Sequence, residues 1–117
     1  EACVVDQLPI ISSMGAANKL DPTRILVADL ADTRSCRLAR IIRRELRRRG
    51  ISAGVKAVYS TEEFRPLSDG RREPAAKAAD HYQSRRAPLG SSSVVPPLFG
   101  LTMAGEVLID LLELNSA

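Results

Sequence analysis

Two short apolar runs, joined by a loop of small residues, constrain the fold of this chain more than any other feature. The stretch ISSMGAANKLDPTR, residues 11–24, leads from one apolar run at residues 8–11 into a second at residues 25–28. Small side chains leave room for a ligand or another part of the backbone to approach closely. The pattern therefore predicts two strands joined by a loop that a ligand can reach.

Apolar runs predict three strands in all. We expect strands at residues 8–12, 25–30 and 55–60, and the tail of a helix at residues 1–7. The turn at residues 18–22 is tight enough for the first two strands to pair antiparallel. The chain has 117 residues, of which 44% are hydrophobic, so it can bury one modest core and is too short for two ordinary domains.

A basic amphipathic helix is predicted between residues 34 and 49. This segment holds eight arginines against one acid, Glu45, so its local charge is +7 and the rest of the chain carries −4. Apolar residues recur on one helical face, and Gly50 follows as a natural stop. These apolar residues are Leu38, Ile41, Ile42 and Leu46. One interpretation is a solvated face whose last arginines interact favourably with the helix dipole.

The alternative interpretation of the basic helix is a surface that contacts phosphates. Clustered guanidinium groups repel one another and gain most from a polyanion. The candidates for these phosphate contacts are Arg40, Arg43, Arg44, Arg47 and Arg48. Aromatic residues make up only 3% of the chain and Trp is absent, so the stacking platform of an aromatic single-strand binder is not indicated.

The C-terminal part is predicted to contain a long mobile loop followed by a helix. Residues 66–93 are polar, rich in Arg and dotted with Gly, Pro and Ser, which is typical of a loop that does not pack. The helix follows, with Pro97 suited to its first position. Because Gly100 and Gly105 lower its helix propensity, we expect them to mark close packing against a neighbour.

Three acids share one stripe of the C-terminal helix. Glu106, Asp110 and Glu113 follow one another at spacings of four and three residues. A metal site or an acid-base site is conceivable, but a solvent-facing stripe is favoured because the helix offers no His or other partner ligand. We therefore expect no metal ligands in this chain.

The sequence does not contain the residue patterns that several classes of catalytic site require. The seven glycines form neither GxGxxG nor GxxxxGK[ST], so no complete phosphate-binding loop is present. His81 is the only histidine and lies in the predicted loop, which disfavours a Ser-His-Asp triad. Cys36 lies between Arg34 and Arg37; it is either an activated nucleophile or, as we favour, an ordinary residue at a helix start.

Cysteine usage points to a reducing compartment. Cys3 and Cys36 are the only cysteines and form no CxxC pair, so neither a disulfide framework nor a zinc knuckle is indicated. The first residues do not resemble a signal peptide, and no stretch is apolar enough to be predicted as a spanning helix. A cytoplasmic location is therefore expected.

Four stretches of the sequence resemble one known family. They are LPIISSMGAANKLDPTRILVADL, DTRSCRLARIIRRELRRRGI, VKAVYSTE and GSSSVVPPLFGLTMAGEVL. They are similar to the C-terminal part of the ThiF/MoeB/HesA superfamily of ATP-dependent adenylating proteins, and most similar to its tRNA threonylcarbamoyladenosine dehydratase branch. The resemblance covers nearly the whole chain. It implies an α/β fold, the C-terminal half of a Rossmann-like adenylating domain, with a mixed sheet, flanking helices and the long mobile loop.

The resemblance also implies that residues 1–117 are one portion of such a domain. In the family, the glycine-rich nucleotide loop, the catalytic arginine and lysine, and the aspartate associated with magnesium belong to a half that would precede Glu1. No catalytic residue is therefore expected here. The small-residue loop is expected at the carboxyl end of a strand, beside the adenylation cleft. The cleft-lining candidates are Ser12, Ser13, Gly15, Asp21 and Thr23.

The reaction implied by the resemblance is adenylation of the threonylcarbamoyladenosine carboxylate, dependent on ATP and magnesium, followed by cyclisation on tRNA. The implied partners are tRNA, a second copy of the protein in a homodimer, and a cysteine desulfurase or another sulfur-acceptor system. The zinc-binding CxxC pairs of ThiF and MoeB relatives are absent, so no zinc is expected. Two alternatives stay open: adenylation of a ubiquitin-like sulfur-carrier protein, and a non-catalytic RNA-binding module that uses the basic helix.

Overall fold

The structure is a computed structural model that describes residues 1–63 and 90–114. In chain order, its α-helices and strands are α1 (Ala2–Val5), β1 (Ile11–Ser13), β2 (Ile25–Asp29), α2 (Arg37–Arg48), β3 (Lys56–Ser60) and α3 (Val95–Leu111). Two short 3-10 turns, Pro22–Arg24 and Leu30–Asp32, lie immediately before and after β2. The three predicted strands, the basic helix and the C-terminal helix are therefore all present.

β3 is the central strand of a mixed three-stranded sheet with the order β1-β3-β2. β1 runs parallel to β3, with Ser12 opposite Ala57. β2 runs antiparallel to β3, with Val27 opposite Val58. The predicted antiparallel pairing of the first two strands is therefore wrong, because the third strand lies between them.

Local structure in the loop between β1 and β2 explains why the two strands do not pair. Asp21 caps the 3-10 turn Pro22–Arg24, so this part of the loop does not form a hairpin turn. Lys19 extends from the same loop to the backbone carbonyls of Ser60 and Glu62, at the end of β3. The loop therefore crosses the end of the central strand before β2 begins.

The first strand starts later than predicted. β1 begins at Ile11 rather than at residue 8, because Pro9 has no N–H to donate to a neighbouring strand. Leu8 consequently lies outside the sheet and is 56% exposed. The predicted buried strand is thus a shorter, half-buried one.

The last helix starts two residues earlier than predicted. α3 begins at Val95, and Val95 N donates to Ser92 Oγ (3.2 Å) in the turn that precedes the helix. A methyl group added at Gly100 or Gly105 would meet no neighbouring atom within 4 Å, so the close packing expected there is not found within the described residues. No helix in residues 1–63 and 90–114 has the length and apolar composition needed to cross a membrane.

The two long helices cover opposite faces of the sheet. Side chains alternate along β3, so Ala57 and Tyr59 pack on the α2 side whereas Val58 packs on the α3 side. The buried residues on the α2 side are Met14, Leu30, Cys36, Ala39, Val55, Ala57 and Tyr59. Those on the α3 side are Val58, Val95 and Phe99. This helix-sheet-helix arrangement is the predicted α/β architecture.

One end of the sheet, which we call the carboxyl end, brings separate loops together. β1 and β3 are parallel, so the residues that follow Ser13 and Ser60 lie at the same end, where β2 begins. The loop of residues 14–24 and residues 61–63 therefore lie close to each other. The predicted mobile loop, residues 66–93, falls outside the described residues except for residues 90–93.

Candidate functional site

The end of β1 holds three of the five predicted cleft residues. Met14 N donates to a carbonyl of β3 (2.9 Å), so the parallel pairing continues one residue past the strand. Ser12 is half-buried, whereas Ser13 is exposed and its Oγ donates to Met14 O (3.3 Å). A Cβ on Gly15 would lie 3.8 Å from Cys36 Sγ, which is an ordinary contact. The described neighbours therefore leave room for a side chain at this glycine.

The other two cleft candidates, Asp21 and Thr23, are bound to each other. Asp21 Oδ1 accepts hydrogen bonds from Thr23 N (2.9 Å) and from Thr23 Oγ1 (2.6 Å), and its Oδ2 lies 3.3 Å from Arg24 Nε. The hydrogen bonds from Thr23, followed by the charge of Arg24, hold the pKa of Asp21 below its ordinary value. Both side chains therefore shape the turn that leads into β2.

Sequence reasoning missed a buried lysine between the two groups of candidates. Lys19 is only 5% exposed, and its Nζ donates to the carbonyl oxygens of Ser60 (3.3 Å) and Glu62 (2.7 Å). Burial lowers the pKa of Lys19, while the nearby Cys36 and Glu62 act in the opposite direction. The contact partners lie more than 40 residues away along the chain, so no local pattern could have revealed them.

Glu62 holds the same loop through its side chain. It is 2% exposed, and its Oε2 accepts hydrogen bonds from the backbone N–H groups of Leu20 (2.9 Å) and Asp21 (2.8 Å). A carboxylate that receives two backbone donors binds them more tightly than a neutral acceptor would. Residues 19–21 are therefore attached to the end of β3 in two ways, through the side chain of Lys19 and through the side chain of Glu62.

Asn18 extends this attachment to the segment before α3. Its backbone N–H donates to Gly90 O (3.0 Å), and its side-chain Oδ1 accepts from Gly90 N (2.5 Å). Asn18 has a φ of 55°, in the left-handed region that Asn tolerates better than most residues. Four consecutive residues, 18–21, therefore connect β3 and residue 90 at the carboxyl end of the sheet.

The five predicted phosphate-binding arginines fall into three groups in the structure. Arg40 and Arg47 are exposed, and their side chains make no hydrogen bond or ion pair within residues 1–63 and 90–114. Arg44 and Arg48 both contact Glu45, at 3.6 Å and 2.9 Å. Exposed ion pairs of this kind contribute little to stability and exchange partners readily.

Arg43 differs from the other predicted arginines because it is used inside the fold. Its guanidinium donates to the backbone carbonyl of Thr33 (2.6 Å) and to the Thr33 hydroxyl. Thr33 is buried, and its hydroxyl also donates to Leu30 O (2.8 Å). Arg43 therefore anchors the middle of α2 to the turn that follows β2.

The acidic stripe on α3 binds a lysine rather than facing solvent alone. Lys56 Nζ lies 3.2 Å from Glu106 Oε2 and 2.7 Å from Asp110 Oδ2. The hydrogen bond that Lys56 donates to Asp110, helped by the one to Glu106, raises the pKa of Lys56 against the opposing effect of burial. Asp110 and Glu113 are exposed, as expected for a solvent-facing stripe, whereas Glu106 is half-buried. No group of three or more potential metal ligands occurs in residues 1–63 and 90–114.

Cys36 has a structural role at the start of α2. It is 7% exposed, and its Sγ accepts a hydrogen bond from Ala39 N at 3.5 Å. Cys3 is half-buried, and the two cysteines are free thiols. The favoured interpretation of Cys36 as a helix-start residue agrees with this geometry. His81 lies outside the described residues.

The sequence is similar to curated proteins of one kind. It is 37% identical over 111 residues to a tRNA threonylcarbamoyladenosine dehydratase of Bacillus subtilis (strain 168), which covers 95% of this chain and 44% of the relative. It is 38% identical over 112 residues to tRNA threonylcarbamoyladenosine dehydratase 2 of Saccharomyces cerevisiae, covering 86% of this chain and 25% of the relative. The chain thus spans less than half the length of these relatives. No family model matches it.

The fold is also similar to a solved structure. The E. coli tRNA N6-threonylcarbamoyladenosine dehydratase, TcdA, in complex with AMP aligns with a TM-score of 0.74 and 27% identity, covering 98% of this chain and 43% of that chain. The predicted Rossmann-like adenylating fold is confirmed by this likeness. The carboxyl end of the sheet, with its loop of small residues, lies where open α/β sheets bind their ligands.

Proposed function

Because the chain is homologous to part of the tRNA threonylcarbamoyladenosine dehydratases, within the ThiF/MoeB/HesA superfamily, we propose that it forms part of an ATP-dependent enzyme that modifies tRNA. The observation that carries this proposal is the 37% identity to the Bacillus subtilis dehydratase across 95% of the chain. The activity belongs to a protein longer than this chain, since the chain matches only 44% of that relative.

The proposed reaction has two steps. The carboxylate of threonylcarbamoyladenosine attacks the α-phosphate of ATP, which forms a mixed anhydride with AMP and releases pyrophosphate. An amide nitrogen or oxygen of the same modified base then attacks the acyl carbon, closes a ring and expels AMP. Adenylate is a far better leaving group than hydroxide, which explains why loss of water from the base requires ATP.

The described residues supply one wall of such a site and no complete nucleotide or magnesium site. The hydroxyl of Ser13 and the side chains of Asp21 and Thr23 already make hydrogen bonds within the loop. No group of three or more potential metal ligands occurs in the described parts of the chain. We therefore assign no chemical step to these residues; their proposed role is to hold the carboxyl end of the sheet in shape beside the cleft.

The test uses the complete gene product that contains this chain. It is incubated with MgATP and tRNA that carries threonylcarbamoyladenosine, and the nucleosides are analysed by mass spectrometry. The expected result is loss of one water from the modified nucleoside, with AMP formed in equal amount. Reactions without ATP, or with tRNA that lacks the modification, serve as controls. AMP formation that does not depend on the modified tRNA would overturn the proposal.

Two other functions are distinguished by measuring AMP formation with an added sulfur-carrier protein and by measuring tRNA binding. Adenylation of a sulfur-carrier protein would show as carrier-dependent AMP formation, and the absence of the CxxC pairs of zinc-binding relatives counts against it. A non-catalytic RNA-binding module would bind tRNA without consuming ATP, and the exposed arginines of α2 favour this as the second candidate. A homodimer, a cysteine desulfurase or other sulfur-acceptor partner, and a cytoplasmic location belong to the proposal as well.

A further inference from the structure

We infer that the outer face of α2 binds the phosphate backbone of a base-paired RNA stem, through arginines whose side chains have no partner within residues 1–63 and 90–114. This inference rests on the proposed function, because tRNA would supply the stem. The arginines in question are Arg34, Arg37, Arg40 and Arg47. Arg43 is excluded since it anchors the helix.

The exposed arginines of α2 lie in one row along the side of the helix that faces away from the core. Ala39, Ile42 and Leu46 turn inward and pack in the core, so the residues on the opposite side of α2 face solvent. The exposed arginines of that side are Arg37, Arg40, Arg44, Arg47 and Arg48. At about 1.5 Å per residue, the row extends for about 16 Å along the helix. Arg34 extends the row before the first turn.

The fold leaves most of this charge uncompensated. The side chains of Arg34, Arg37, Arg40 and Arg47 make no hydrogen bond or ion pair within the described parts of the chain, and Glu45 is the only acid in α2. Neighbours at spacings of three and four residues repel each other on a helix face. Phosphates would relieve this repulsion while releasing the counterions condensed on the nucleic acid. The row therefore suits a polyanion better than it suits the isolated fold.

Within residues 1–63 and 90–114 no aromatic ring is exposed, which favours a base-paired ligand over a single strand. Tyr59 and Phe99, the aromatic residues within residues 1–63 and 90–114, are 4% and 1% exposed. Proteins that bind single strands combine cationic grooves with aromatic rings on which bases stack. Recognition of double-stranded RNA instead depends on its shape, its phosphates and its 2′-hydroxyl groups. A straight row of guanidinium groups without stacking rings fits the second case.

The location and packing of α2 support RNA rather than a membrane. A helix that lies on a membrane needs a continuous free apolar face, but Ala39, Ile42 and Leu46 are packed in the core, and only Leu38 and Ile41 of the apolar residues of α2 are exposed. The helix begins beside the carboxyl end, because Cys36 Sγ lies near Gly15. A stem bound along the row would therefore extend from the end of the sheet that carries the cleft candidates.

The test compares salt dependence in the complete gene product and in a variant with Arg34, Arg37, Arg40 and Arg47 changed to Gln. Dissociation constants are measured against salt for tRNA, a base-paired RNA, a single strand of equal length and anionic vesicles. We expect the slope of log affinity against log salt for tRNA and for the paired RNA to fall by about 3 to 4 in the variant. Arg24→Gln removes one exposed arginine outside the row and should leave the slope unchanged.

Several outcomes would overturn the inference while leaving the proposed function intact. An unchanged slope in the four-arginine variant, equal binding of the single strand, or preferential binding of the vesicles would each do so if the wild-type protein still dehydrates its tRNA. Circular dichroism and thermal unfolding must show a folded variant, which we expect since the changed side chains are exposed. Failure of the wild-type protein to modify tRNA would instead count against the proposed function.

Discussion

Lys19 is the residue on which the carboxyl end of the sheet depends most. A buried ammonium group that donates to two backbone carbonyls was not predictable from its neighbours, because long charged side chains usually reach solvent. What the sequence did predict was the small-residue loop around it. The location of Ser12 and Ser13 at the end of β1 followed from the apolar run before them.

Removing the charge of Lys19 should loosen this end of the sheet. We expect Lys19→Met to lower the free energy of unfolding by about 2 to 3 kcal/mol, because two carbonyls lose a charged donor in a buried position. Urea unfolding measures the change. Arg24→Met, which removes an exposed cation of the same loop, is the matched control and should change stability by less than about 0.5 kcal/mol. Equal effects of the two substitutions would contradict the assigned role.

Arg43 gives a second prediction at the scale of single residues. Arg43→Gln should lower the melting temperature, because buried Thr33 loses a charged donor at its carbonyl and hydroxyl. It should leave the salt dependence of tRNA binding unchanged. Arg40→Gln should do the reverse, since Arg40 is exposed. The sequence could not separate these two arginines, because both belong to the same basic helix and only the contact with Thr33 distinguishes them.

Helices were easier to predict than strand pairing. The predicted apolar face of α2 is confirmed at Ile42 and Leu46, which pack in the core, and is wrong at Leu38 and Ile41, which are exposed. The helix appears close to its predicted limits. Pairing of β1 with β3 joins residues 45 positions apart, as Ser12 opposite Ala57 shows, and nothing near either strand encodes it. β2 follows β1 more closely in the chain, yet the two do not pair. The side-chain contacts of the loop between them, and not its length, lead the chain across the end of β3 before β2 begins.

Lys56 links the sheet to α3, and its contribution should depend on pH. Asp110 and Glu106 raise its pKa above the ordinary 10.5, so the stabilisation is fully present below pH 10.5 and is lost as pH rises through the higher folded value. The ion pair is partly exposed, so we expect only about 0.2 to 1 kcal/mol.

Urea unfolding of the wild-type chain and of Lys56→Met, at pH 8 and above pH 10.5, measures this contribution. The difference in free energy of unfolding between the wild-type chain and Lys56→Met should be smaller at the higher pH. Arg48→Met is the control, because the guanidinium paired with Glu45 stays charged throughout this range. The difference in free energy of unfolding between the wild-type chain and Arg48→Met should therefore be the same at both pH values. A difference that widens with pH would contradict the assignment.

At the scale of the whole molecule, the described parts leave apolar surface uncovered. The exposed leucines of the C-terminal region are Leu101, Leu108, Leu111, Leu112 and Leu114. Within the described residues, β1 pairs with β3 alone, so its other side meets no strand. An apolar helix face and an open strand edge are both sites of association.

The 117-residue chain by itself should therefore self-associate and bind no nucleotide. We expect sedimentation to show species larger than a monomer, and Leu111→Glu to shift the distribution towards monomer because Leu111 is 75% exposed. Calorimetric titration with MgATP should give no saturable heat, since in the proposed function the described residues form only one wall of the cleft. A monomer that binds MgATP with micromolar affinity would contradict this view of the chain.

Replacement of the matching region in a relative tests whether this chain forms part of an ATP-dependent enzyme that modifies tRNA. A chimera in which this chain substitutes for the aligned 111 residues of the Bacillus subtilis dehydratase is purified and checked for folding by circular dichroism. It is then given MgATP and tRNA carrying threonylcarbamoyladenosine. If this chain is part of a tRNA-modifying dehydratase, we expect loss of water from the modified nucleoside with matching release of AMP. A folded chimera that binds both ATP and tRNA but forms neither product would contradict it.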